Sequence, residues 1–160
     1  MVGGRCHRAH RVRADEQSAG RWEWVGLPDF GISCMRAELA PDLLHSQLAA
    51  DGVEWVGRLG AFCFKIYPIA EDGRTFVLAE APTSGPVRGS GAARPRITTS
   101  CILADHLWSV KLDLMPRREG VVPLILGQDA LQGLKVDLDA EYLMGIPWIG
   151  GCSSGNRGEE

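Results

Sequence analysis

Phe62, Phe64 and Ile66 alternate with Cys63, Lys65 and Tyr67, and Trp108, Val110, Leu112 and Leu114 alternate with Ser109, Lys111 and Asp113. A side-chain period of two places every second residue on one face of an extended chain, so both runs read as half-buried strands. Alternating or short apolar runs bounded by turn residues predict further strands over 22–27, 32–39, 75–80, 96–103, 121–126 and 134–138. Glu71-Asp72-Gly73 suits a hairpin, and Ala104-Asp105-His106 divides two alternating runs. Many short strands at close spacing predict a mostly β barrel or sandwich. One stretch argues otherwise: residues 42–50 follow Pro41 and contain good helix formers, so their local propensity predicts a helical turn.

A chain of 160 residues supports one core. Residues 1–20 carry four arginines and two histidines but almost no bulky apolar side chains, which predicts a disordered basic arm. Residues 149–160 have the composition of a disordered tail, leaving 21–148 as the domain. Residues 83–95, rich in Gly, Pro, Ser and Ala, read as a long loop, with a flap over a groove as one use for it. The net charge of −3 calls for no nucleic-acid partner. No apolar run approaches the roughly 20 residues of a membrane span. The basic N-terminus is followed by Ala14-Asp15-Glu16-Gln17 rather than by an apolar segment, so a signal peptide is not expected and the expected location is cytoplasmic. Cys6, Cys34, Cys63, Cys101 and Cys152 are odd in number and lack C-x-x-C spacing, which fits reduced thiols.

Three stretches in order carry a resemblance. The first is Trp24-Val25-Gly26-Leu27-Pro28-Asp29-Phe30-Gly31-Ile32, followed by Met35-Arg36-Ala37-Glu38-Leu39. The second runs from Ser46 and Leu48 through Asp51, Val53 and Glu54 to Tyr67-Pro68. The third is Ile125-Leu126-Gly127-Gln128-Asp129-Ala130-Leu131-Gln132-Gly133, with Val136-Asp137 and Tyr142-Leu143-Met144-Gly145 after it. Together they resemble the bacterial retropepsin-like aspartic peptidases often labelled ATP-dependent zinc proteases. The resemblance implies a closed acid-protease barrel with one short helix after Gly127. It also implies a homodimer, and a groove that takes a peptide or protein tail, extended or acidic.

Aspartic peptidase chemistry needs two carboxylates about 3 Å apart that share one proton. The resemblance implies that each subunit supplies one, from an Asp-Thr-Gly-Ala turn. Gap-free alignment from Ala37 to Ala50 lays Ala40-Pro41-Asp42-Leu43 on that turn. Ala40 has no ionisable group, and a homodimer built on it loses the whole dyad. Pro41 lacks both the bracing hydroxyl and an N–H. Asp42 adds a side chain where glycine is expected, and Ala49 stands where members of the family often carry a histidine. The expectation is a catalytically inactive barrel that binds through Ala40, Asp42, Ile125, Leu126 and Gly127.

Two rivals remain: an active endopeptidase using a displaced Asp42, and an interaction module whose Arg5, Arg8, Arg11 and Arg13 bind nucleic acid or the ribosome. No H-E-x-x-H and no G-x-x-x-x-G-K-[ST] occurs, so neither metal nor nucleotide chemistry has a motif, and no cofactor is expected. Cys6, His7 and His10 offer three possible metal ligands without a fourth. Cys34 with His45, or Cys101 with His106, would be needed for a cysteine nucleophile, and no local signature supports either.

Overall fold

The computed structural model describes residues 18–84 and 95–147. Nine strands follow one another: β1 Ala19–Leu27, β2 Ile32–Leu39, β3 Ser46–Val56, β4 Ala61–Ile66, β5 Val77–Pro82, β6 Arg96–Leu103, β7 His106–Pro116, β8 Leu124–Leu126 and β9 Val136–Glu141. The fold is mostly β, as the alternation predicts. Its helical content among the described residues is two short 3-10 turns, Pro28–Phe30 and Gly57–Leu59.

Six strands close a barrel in the order β3-β7-β6-β1-β2-β8, and three-residue β8 is the closing element. Its Leu124, Ile125 and Leu126 pair in parallel with Ala37, Glu38 and Leu39 of β2. On its other side Leu124 and Ile125 pair antiparallel with Leu48 and Gln47 of β3. Closure leaves neither neighbour with an open edge at that point. Inside, Leu27, Met35, Leu39, Leu48, Ile97, Leu103, Leu112, Leu124 and Leu126 are fully buried and form one core.

β3 serves two sheets. Ser46 to Ala50 pair in parallel with Leu112 to Pro116 of β7. Beyond a register shift between Asp51 and Glu54, the rest of β3 pairs with β4, which in turn pairs with β5. A bridge from Thr83 to Ile97 and a 2.6 Å bond from the Ser84 amide to the Arg96 carbonyl bring the two feet of the 83–95 loop together. Residues 85–94 themselves lie outside the described residues.

Three expectations need correction. The helical propensity of 42–50 is overridden, because Ser46 and Leu48 are buried in ladders with β7 and β8 that satisfy the backbone and remove apolar surface together. The helix expected after Gly127 amounts to one turn, closed by the Ala130 and Leu131 amides on the Gly127 carbonyl. The N-terminal boundary also moves, since Ala19 and Gly20 belong to β1 and pair in parallel with Val136 and Asp137 of β9. The tail 149–160 and residues 1–17 lie outside the described residues.

The boundary has a measurable consequence. Ala19 is fully buried and its amide bonds the Lys135 carbonyl at 2.8 Å, while a Cβ on Gly20 would stand 2.7 Å from the Ala140 carbonyl oxygen. Only glycine allows β1 and β9 to approach this closely. A chain beginning at Arg21 is therefore expected to melt several degrees below one beginning at Ser18 in a thermal scan.

Candidate functional site

The turn after β2 is where the sequence places the altered motif, and its position is set by backbone bonds to the end of β8. The Ala40 amide donates to the Leu126 carbonyl at 2.8 Å, and the Leu43 amide closes the turn on the Ala40 carbonyl at 2.9 Å. From the other side the Gln128 amide donates to the Leu43 carbonyl at 2.7 Å. Gly127 lies between these bonds, and a Cβ there would meet the Leu43 carbonyl oxygen at 2.6 Å and the His45 carbonyl oxygen at 3.0 Å. The glycine is required by this contact between two backbones.

Side chains lock the same junction. Asp129 Oδ1 accepts the Ser46 hydroxyl at 2.6 Å and the Ser46 amide at 3.1 Å. The Ser46 Oγ in turn accepts the Gly127 amide at 2.9 Å. His45 Nδ1 lies 3.4 Å from Asp129 Oδ2 at the exposed end of the network. Ser46 is fully buried, so its hydroxyl is committed to bracing rather than available as a nucleophile. In the sequence Ser46 and Asp129 stand only as parts of longer strings. Their partnership spans 83 positions and leaves no local pattern.

The predicted site residues thus separate by role. Leu126 and Gly127 are buried and hold the turn, while Ala40 and Ile125 are half-buried and Asp42 is exposed. Ile125 is flanked by Glu38 and Gln47 in register, and alternation turns all three away from the buried Leu124, Leu126, Leu39 and Leu48. Ile125, Gln47, Ala49 and Pro123 line a groove of about 180 Å³ together with Met115 and Arg118. Asp42 makes no hydrogen bond or ion pair with the described residues. Of the carboxylates in the turn and in the segment after β8, Asp42 and Asp129, only Asp129 is braced.

The cysteine alternatives do not assemble. Cys101 is fully buried opposite Trp108, and burial pushes its thiol far above the ordinary range, which disfavours the thiolate a nucleophile needs. His45 pairs with Asp129 rather than with Cys34. Among the described residues no group of three His, Cys, Asp or Glu side chains is arranged to hold a metal ion. Cys6, His7, His10 and the arginines of the arm lie outside the described residues. No helix among the described residues is long and apolar enough to cross a membrane.

A buried carboxyl group lies on β1, next to β2 in the barrel. Glu23 is fully buried and accepts the Gly20 amide at 2.6 Å, the Leu143 amide at 2.9 Å and the Met144 amide at 3.2 Å. It ties β1 to the segment after β9. Burial pushes its carboxyl above the ordinary value of 4.5, against the pull of these three amides toward the anion.

A closed six-stranded barrel with an internally braced turn beside a groove defines the class. The chain is similar in fold to a crystal structure of a Legionella pneumophila protein of unknown function (DUF785), with a TM-score of 0.68 and 21% sequence identity over 81% of this chain and 98% of that one. No family model matches the sequence, and no curated protein matches it.

Proposed function

We propose that the chain is a retropepsin-like barrel without peptidase activity that binds an extended peptide or protein tail in the groove lined by Gln47, Ala49 and Ile125, and that it does so as a homodimer. The observation that carries this reading is the turn itself. Leu126, Gly127, Ser46 and Asp129 pin it from two sides, yet the residue so positioned is an alanine. Bracing of this quality is what a catalytic carboxylate requires, and Ala40 offers only a methyl group to the outer face. The neighbouring Ile125, Gln47 and Ala49 supply apolar surface with one amide, a surface suited to holding an extended chain rather than to cutting it. A single barrel provides half of a two-fold groove, which is why the reading includes a second copy.

Anisotropy of a labelled extended peptide rich in glutamate, beside a neutral one of equal length, tests the binding. Saturable binding is expected, and Ala49→Trp, which fills the groove, should weaken it by about tenfold or more, equivalent to ~1.4 kcal/mol. Sedimentation at the same concentration should show a dimer. Unchanged affinity in the Ala49→Trp protein, or a strictly monomeric species that still binds, would remove the shared groove from the account.

A further inference from the structure

A further cleft lies apart from the groove at Ile125. It has a volume of about 430 Å³ and lies between the start of β7 and the turn after β8, with Trp108, His106, Asp129, Gln132 and Leu134 in its lining. That volume falls within the roughly 300–1,000 Å³ typical of small-ligand sites. Its chemistry is one-sided. Among the described residues Asp129 is its only carboxylate and no lysine or arginine lines it, and the half-buried Trp108 indole offers an aromatic surface with the His106 ring packed 5.0 Å from it.

The Asp129 carboxylate is only half used. Oδ1 takes both short bonds from Ser46, at 2.6 and 3.1 Å, whereas the contacts of Oδ2, to the Ser46 amide and His45 Nδ1, are both 3.4 Å long. The side chain keeps 29% of its surface exposed. One carboxylate oxygen with spare acceptor capacity, in the same cleft as an indole, is a pairing that selects a planar cation. A guanidinium can stack on the ring while donating N–H groups to the oxygen, which an ammonium does less well.

We infer that this cleft is a second binding site, distinct from the groove at Ile125, and that it takes a guanidinium group such as an arginine side chain of a ligand. Asp129 then contributes to two places, since the oxygen that braces Ser46 is not the one that meets the ligand.

N-acetyl-arginine-amide is the probe, with N-acetyl-citrulline-amide as the uncharged control of nearly the same shape. Proton–nitrogen NMR of the full chain should show a saturable shift of the Trp108 indole N–H with the arginine probe and none with the citrulline probe, the indole signal being assigned by its loss in Trp108→Phe. Gln132→Lys places a cation at an exposed position of the lining without touching the core, and should weaken the arginine probe by about tenfold. Equal shifts from both probes, shifts confined to residues outside the cleft, or an unchanged affinity in Gln132→Lys would each overturn the assignment.

Discussion

Replacing Glu23 by Ala should cost about 3 kcal/mol or more of folding stability in urea titration. The carboxylate is the common acceptor of three backbone amides, those of Gly20, Leu143 and Met144. Its removal strands the buried amides of Gly20 and Met144, and each such donor costs about 1–3 kcal/mol. The loss should spread, because β1 and the segment after β9 are joined there and β9 has β1 as its paired neighbour. Glu23→Gln keeps the shape and one oxygen but turns an amide N–H₂ toward a donor, so it should fall between Ala and the parent. The two also differ in pH response. Burial raises the folded carboxyl above its unfolded value, so the folded chain holds this proton more tightly. The contribution of Glu23 is then fully present below the ordinary 4.5 and is lost as pH rises through the folded value. Glu23→Gln should flatten that part of the stability profile. A parent whose stability rises with pH across this window by the same amount as Glu23→Gln would contradict the assignment.

Gly127→Val should be the most damaging single change at the groove end of the barrel, at about 3–5 kcal/mol. The added Cβ would meet two backbone carbonyl oxygens, of Leu43 and His45, neither of which is the end of a flexible side chain. Relief requires the turn to move away from β8. Movement would break the Gln128 to Leu43 bond and draw the Ser46 hydroxyl from the Gly127 amide. Circular dichroism should show a lower melting temperature, and a groove peptide should bind more weakly even where the barrel survives. An ordinary melting temperature for Gly127→Val would mean that the turn is not held as described.

The barrel was legible because its strands carry their faces in the sequence. Ile32–Leu39, Arg96–Leu103 and the core of β7 follow from alternation alone, and Ala104-Asp105-His106 marks the turn between β6 and β7. Closure was not legible without the resemblance, since β8 contributes three residues to two ladders and nothing local announces either partner. Residues 42–50 are ambiguous in sequence because propensity sees leucines and a glutamine, while burial of Ser46 and Leu48 between β7 and β8 decides the outcome. Glu23 does carry a signal in the sequence: it holds the inward phase of Glu23, Val25 and Leu27, where a charged residue demands a partner. At the candidate site the sequence located Ala40 and Gly127 through the resemblance. It did not reveal that Asp129 and Ser46 do the bracing, because a hydrogen bond across 83 positions has no periodicity.

Cleavage of an unfolded protein mixture across acid and neutral pH, with and without pepstatin, tests the central claim most directly. The parent chain should give no pepstatin-sensitive hydrolysis, because Ala40 supplies no carboxylate and Asp42 stands exposed and unbraced beside it. Ala40→Asp alone should add little, since Pro41 and Asp42 leave the new group without its hydroxyl brace and with a like charge close by. The combined change Ala40→Asp, Pro41→Thr and Asp42→Gly should produce cleavage with an acid-shifted profile. Pepstatin-sensitive hydrolysis by the parent chain that disappears in Asp42→Asn would contradict the account and make Asp42 the catalytic residue.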